Sequence, residues 1–199
     1  MSKNEIEQFY PETKQHFREW LQENHLTKDA VWLIFYKKHT GKPSVARTDA
    51  VDEALCFGWI DSKGETIDKD TFRQYFCKRK PTSTWSKINK QKIEILAAKG
   101  LMADAGFKVI DIAKQNGSWT ILDEAEGLTV PTELEKAFCR FENSKDYFLS
   151  LSKSKKKVLL YWIALAKTDI TQLKRILEIA ENASQNQLPK QFRPKKNCI

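Results

Sequence analysis

The N-terminal part of the chain contains apolar segments with two different periods. Residues 30–36 are β-branched or aromatic on both faces, which predicts a strand that is buried on both sides. Residues 60–67 and 71–78 predict two more strands joined by a short turn. Apolar residues at helical spacing predict a helix over 11–24 and another that begins after Thr48 as its N-cap.

After these strands, apolar residues recur only at helical spacing. Helices are predicted over 86–98 and 102–114, and 123–129 is predicted to be a polar connection. The starts of the remaining helices are predicted from a proline and three candidate N-caps: Pro131, Ser144, Ser154 and Thr168.

The predicted fold class is α+β. A small antiparallel or mixed sheet with packed helices forms the N-terminal half, and the C-terminal half is all-helical. The predicted domains are 1–120 (α+β) and 121–183 (helical), followed by a basic flexible tail over 184–199.

Charge is unevenly distributed along the 199 residues, which have a formal net charge of +8. Residues 1–150 hold equal numbers of basic and acidic residues, 23 of each, whereas 151–199 hold 11 basic and three acidic ones. Within the balanced part, residues 71–93 contain seven basic residues and no acidic one. An excess of this kind favours an anionic partner.

Several functional classes lack their sequence signatures. No apolar run approaches the roughly 20 residues of a membrane-spanning helix, and the N-terminus has no apolar core of a signal peptide, so a cytoplasmic protein is expected. The four cysteines include no C-x-x-C pair, so we expect neither a metal site nor a disulfide framework. Phosphate-loop, dinucleotide and hydrolase motifs are absent, so no cofactor is predicted.

The basic, aromatic segment 71–93 is the best candidate site. Arginine forks match phosphate or carboxylate, and aromatic rings stack on bases or sugars. Together with the preceding helix–strand junction, the candidate ligand-binding residues are Trp59, Asp61, Arg73, Tyr75, Arg79, Ser83, Trp85, Ser86 and Asn89.

Structural alternatives account for the same residues. Trp85 can pack in the core, Ser83 or Thr84 can cap the next helix, and Asp61 can pair with Arg73 across the hairpin. Cys56 has acidic sequence neighbours, which favours a small buried apolar side chain over a reactive thiolate.

Two further basic regions stand out. Lys37 and Lys38 follow a buried strand, where they form either the mouth of a site or a solvated strand end. Lysines 153 and 155–157 precede an apolar helical stripe. Such a helix can lie on an anionic membrane surface, enter a partner's groove, contact phosphates, or belong to an ordinary bundle with a solvated basic face.

The chain resembles the YdeI/OmpD-associated family of bacteriocin-protection proteins over about residues 16–180. The matching blocks include VWLIFYKKHTGKPS (31–44), EALCFGWIDS (53–62), KRKPTSTWSKIN (78–89) and LSLSKSKKKVLLYWIALAKTDITQLKRI (149–176). The resemblance implies a small cytoplasmic protein linked to protection against bacteriocins or cationic peptides and to association with an outer-membrane porin. It implies no catalytic mechanism.

Three hypotheses follow. The first is a non-enzymatic stress-resistance protein that binds an anionic small molecule, an envelope protein or a membrane surface through its basic, aromatic surfaces. The second is an enzyme of unrecognised type with a cleft near Trp59, Asp61 and Arg73. The third is a non-specific nucleic-acid binder. The oligomeric state is left open by the sequence.

Overall fold

The computed structural model describes residues 6–194 and divides the chain into two compact units between Trp119 and Thr120. The first unit contains β1 (Gln8–Phe9), α1 (Lys14–Asn24), β2 (Ala30–Tyr36), α2 (Arg47–Cys56), β3 (Trp59–Thr66), β4 (Thr71–Lys78), α3 (Lys87–Ala98) and α4 (Asp104–Gln115), with a 3-10 turn over Lys38–Thr40. The second contains α5 (Asp123–Glu126), α6 (Thr132–Phe138), α7 (Ser144–Ser150), α8 (Lys153–Ala164) and α9 (Asp169–Ser184), with a 3-10 turn over Lys190–Phe192. The α+β fold class is confirmed.

The sheet of the first unit has the strand order β1-β2-β4-β3. Strand β1 is parallel to β2, whereas β2–β4 and β3–β4 are antiparallel, so the sheet is mixed. Side chains alternate between the two faces of a strand. On β2, Val31, Leu33 and Phe35 belong to the core cluster that α1 and α2 also contribute to, and Trp32 points to the other face.

Close packing within the first unit depends on two glycines and one buried ion pair. Gly58 links α2 to β3 with a φ of +73°. A Cβ on Gly106 would lie 2.3 Å from the Cys56 carbonyl oxygen, so only glycine lets α4 approach α2 this closely. The fully buried Glu53 of α2 accepts from Arg18 of α1 at 2.7 Å, which joins these two helices.

Helix starts are where the sequence predictions are wrong most often. Helix α2 has Ala46, not Thr48, at its N-cap. Helices α7 and α8 have Asn143 and Ser152 there instead of Ser144 and Ser154. Thr168 caps α9 as predicted, since its side chain accepts from the Thr171 N–H at 3.2 Å. The predicted connection over 123–129 contains the short helix α5.

The second unit has its own apolar core. Its most buried side chains come from α6, α7, α8 and α9: Leu134, Phe148, Leu159, Ile163, Ile176 and Ile179. The described part of the predicted tail packs against this core, because Leu188 is buried in it and the Phe192 ring meets Trp162 edge to face. The remaining residues of that tail, 195–199, lie outside the described part of the chain.

Candidate functional site

The structure places the nine predicted site residues in three different environments. Arg73 and Tyr75 project from the sheet face opposite the core. Trp59 is fully buried in the core and stacks edge to face on Trp20. Asp61 lies on the same strand, β3, two residues after Trp59. The other five predicted residues lie in the loop after β4 and at the start of α3: Arg79, Ser83, Trp85, Ser86 and Asn89. The nine side chains therefore do not form one site.

On the outer sheet face, the cations are already paired. Arg73 lies 4.4 Å from the Trp32 ring centroid, and Lys63 lies 5.0 Å from the same centroid. Tyr75 meets Trp32 edge to face at 5.1 Å. Glu65 accepts from both Nε and Nη2 of Arg73, and these hydrogen bonds hold the pKa of the Glu65 carboxyl below its usual value. Little charge on this face is left for a ligand.

The predicted Asp61–Arg73 pair is wrong. Asp61 is opposite Phe76 in the β3–β4 register, and Phe76 faces the core, whereas Arg73 points to the other face. Asp61 instead accepts from Arg47 at 3.0 Å and from Gln74 at 3.3 Å. Because Trp59 is also buried, the side chains of Trp59, Asp61 and Arg73 do not line one common cleft.

Arg79 and Trp85 form a closed cluster with Trp119. The Arg79 guanidinium lies 3.6 Å from the Trp85 ring centroid, and Trp85 lies 5.0 Å from Trp119. Arg79 is 7% exposed and Trp85 is 1% exposed. We call these three residues the Arg79–Trp85 cluster.

Arg79 has few polar partners for a buried cation. Its Nη2 donates to the Thr84 carbonyl, while Nε and Nη1 are buried without an acceptor among the described residues. Burial lowers the pKa of Arg79 to about 10, against the opposing effect of the Asp61 charge. Arg79 thus stays cationic at neutral pH in a site that exposes almost none of it.

The other predicted residues of this segment have structural roles. Ser86 is the N-cap of α3 and accepts from the Asn89 N–H at 3.3 Å. The Ser83 N–H donates to Lys80 at 2.9 Å within the loop turn. Asn116 fixes the same loop by donating to the Pro81 carbonyl at 2.8 Å. The structural alternative is therefore right about the burial of Trp85 but wrong about the cap, because Ser86, and neither Ser83 nor Thr84, caps α3.

An accessible basic cavity lies elsewhere, between the end of β2 and the start of α2. Its volume is about 560 Å³, and we call it the β2–α2 cavity. It is lined by three cations, two hydroxyls and five apolar or aromatic residues: Lys37, Lys38, Arg47, Ser44, Thr48, Phe35, Tyr36, Val45, Ala46 and Phe72. None of the described residues that line it is acidic.

Local structure explains the shape of this cavity. Strand β2 ends at Tyr36, and Gly41 turns the chain with a φ of +66°. The Tyr36 N–H donates to the Ser44 hydroxyl at 3.2 Å, and the Val45 N–H donates to the Pro11 carbonyl at 3.1 Å. These bonds hold the returning chain beside the strand, so that α2 begins at the cavity wall.

The polar groups at the cavity favour an anion. The start of a helix carries partial positive charge, and the Ala46 N-cap supplies no side-chain acceptor for the first turn of α2. Asp49 is the acidic residue of that turn, and it does not line the cavity. Lys37 donates to the carbonyls of Asp68 and Lys69 at 2.9 and 3.0 Å, which are uncharged acceptors. Lys38 is exposed and has no ion-pair partner among the described residues.

Aromatic and paired groups complete the wall. Phe35 and Phe72 stack at 5.0 Å with an interplanar angle of 9°. Arg47 lines the cavity while paired with Asp61, and 58% of its side chain is exposed. Asp61, a residue predicted for the site, pairs with Arg47 at the cavity wall and does not itself line the cavity.

Comparison with known proteins gives a family for each part of the chain. The family model described as Domain of unknown function (DUF8412) matches residues 9–109, just over half of the chain. The chain belongs to this family. A second model, described as Bacteriocin-protection, YdeI or OmpD-Associated, matches residues 127–186 and confirms the predicted resemblance over that segment. No curated protein and no solved structure matches the chain.

The two matched segments contain different structural features of the chain. The DUF8412 segment contains every residue that lines the β2–α2 cavity, as well as Arg79 and Trp85. The bacteriocin-protection segment contains α6, α7, α8 and α9. No helix of the described residues is long and apolar enough to cross a membrane, and these residues contain no cluster of His, Cys, Asp and Glu suited to a metal ion.

Sequence reasoning did not identify Arg47, Ser44 or Thr48 as ligand-binding residues. Two signals lie near their region: the Lys37–Lys38 pair after a buried strand, and a helix start for which Thr48 is predicted as a cap that the structure does not have. Neither signal shows that the two chain segments meet, because they are separated by a turn whose path depends on the Ser44 and Pro11 hydrogen bonds.

Proposed function

We propose that this protein is a non-enzymatic binding protein of the bacteriocin-protection type that takes a small organic anion in the β2–α2 cavity. The observation that carries the proposal is the combination of accessible cations, an uncapped helix start and an aromatic wall in one cavity of about 560 Å³. This volume lies within the usual range for small-molecule sites, about 300–1,000 Å³.

The lining defines the class of ligand. A carboxylate or phosphate group would lie near Lys38 and the first turn of α2, where charge-assisted hydrogen bonds and the helix dipole both favour negative charge. An apolar or aromatic body would lie against Phe72, which the wall provides beside Phe35. An uncharged ligand of the same shape would lack the interaction with Lys38 and the first turn of α2.

Calorimetric titration of the full chain with benzoate, phenyl phosphate and benzamide tests this directly. We expect both anions to bind and benzamide, which is uncharged, to bind at least about tenfold more weakly. Lys38→Gln should weaken the binding of the anions by about tenfold. Lys99→Gln, which removes an equally exposed charge outside the cavity, is the matched control.

Two results would contradict the proposal. One is equal binding of benzamide and the two anions, which would leave the cations without a role. The other is equal weakening by Lys38→Gln and Lys99→Gln, which would show that net charge, and not this cavity, attracts the anion.

A further inference from the structure

Helix α9 presents an apolar stripe at the edge of the core of the second unit. Ile170 is 83% exposed and Leu173 is 50% exposed. Leu177, which is half-buried and packs partly against the core, continues the stripe one turn later. The buried Ile176 and Ile179 lie on the adjacent side of the same helix. The stripe lines a shallow groove of about 520 Å³.

Charged residues border this stripe in a definite order. Lys174, Glu178 and Glu181 line the groove together with the apolar residues. Their spacing of four and then three residues places them along one flank of the helix. The flank is therefore basic toward the start of α9 and acidic toward its end.

We propose that this face of α9 pairs with α9 of a second copy of the chain in antiparallel orientation. A twofold axis near residue 175 or 176 would set Leu173 against Leu177 of the other copy and Lys174 beside its Glu178. That position is close to the middle of Asp169–Ser184, so the two helices overlap along most of their length. A twofold interface uses the same surface on both subunits, which this order of charges satisfies.

The same observations disfavour other occupants. Two parallel α9 helices related by a twofold axis would place the charged flanks on opposite sides of the pair, so Lys174 would not meet Glu178 of the other copy. An anionic membrane surface would attract Lys174 but repel Glu178 and Glu181. One helix face is smaller than a standard stable interface, so we expect a reversible dimer with a dissociation constant on the order of 10–100 µM.

Sedimentation equilibrium of the full chain, from about 5 µM to about 500 µM, measures this association across the expected range. We expect a monomer–dimer equilibrium that Leu173→Glu shifts at least about tenfold toward monomer. Leu149→Glu on α7 is the matched control, because Leu149 is also 50% exposed and does not line the groove. Circular dichroism establishes that each variant is folded.

Charge reversal tests the antiparallel orientation without changing any apolar residue. Lys174→Glu alone and the double variant Glu178→Lys/Glu181→Lys should each associate more weakly than the unmodified chain. A mixture of the two variants should recover association, because both contacts of the mixed pair again join opposite charges, one with reversed and one with original signs. The charge-swapped variant Lys174→Glu/Glu178→Lys tests the orientation itself. In an antiparallel pair it restores both contacts that Lys174→Glu alone disrupts, whereas a parallel pair forms no Lys174–Glu178 contact and would not show this recovery.

Three outcomes would overturn the proposal. The first is a monomer at every concentration. The second is a dimer that Leu173→Glu and both charge variants leave unchanged, which would place the interface elsewhere. The third is a mixture that associates no better than the separate variants. None of these outcomes bears on anion binding in the β2–α2 cavity.

Discussion

The Arg79–Trp85 cluster and the β2–α2 cavity are built from the same kinds of residue, yet they offer very different surfaces. In the cluster, the cation lies under 4 Å from an indole ring and is 7% exposed. In the cavity, Lys38 is exposed and no described lining residue is acidic. Composition alone therefore does not make a binding site, since accessibility and the partners of each charge decide what a ligand can reach.

The largest expected effect is on stability in the closed cluster. Trp85→Ala should lower the free energy of unfolding by about 3–5 kcal/mol, because it leaves a large cavity in a core position. Urea denaturation measures this change. Trp85→Phe should lose much less, and a loss below about 1 kcal/mol for Trp85→Ala would show that the cluster is not closed in solution.

Arg79→Met tests whether the buried charge of the cluster lowers the stability of the fold. This variant removes a guanidinium that has two nitrogens without acceptors and keeps an apolar side chain over Trp85. We expect the free energy of unfolding to rise by about 1 kcal/mol, as for other poorly paired buried charges. A clear fall, measured in phosphate-free buffer, would mean that Arg79 has a stabilising partner and that the cluster binds an anion.

Arg73→Met should have a smaller effect that depends on pH. The hydrogen bonds from Arg73 lower the pKa of Glu65 in the folded state, so the pair stabilises the fold above the unfolded pKa of Glu65 and loses this contribution as the pH falls through the folded pKa. The free energy of unfolding of the variant should therefore be lower than that of the unmodified chain at pH 7, and the two values should converge in acid. Denaturation at several pH values measures the difference, and a difference that persists unchanged in acid would contradict this account.

The smallest effect on stability is expected in the open cavity. Lys38→Gln should change the free energy of unfolding by less than about 0.5 kcal/mol, because an exposed lysine without an ion-pair partner contributes little to folding. Its effect should appear only in anion binding. If Lys38→Gln lowered the free energy of unfolding as much as Trp85→Ala does, the distinction between the two regions would be wrong.

Some elements of the fold are predictable from the sequence, and others are not. The structure places β2 and β4 at the residues that the apolar pattern predicts, and Thr168 caps α9 as expected. Strand β1 was missed because two residues carry no period, and its pairing with β2 depends on a distant segment. The sequence predicts Thr48 as the N-cap of α2, whereas the helix begins after Ala46, whose side chain cannot cap it and so gives no capping signal in the sequence.

By itself, the sequence determined the fold class and most element positions. Hydrophobic periodicity is a local property, so it can be recognised without knowing which segments pack together. It also located the basic, aromatic segment. Only the tertiary structure decided which charges are used internally: Arg73 pairs with Glu65, Asp61 with Arg47, and Arg79 is buried against Trp85. The physical reason is that strand pairing and the alternation of side chains between sheet faces set the distances between charged groups. These distances cannot be read from spacing along the chain.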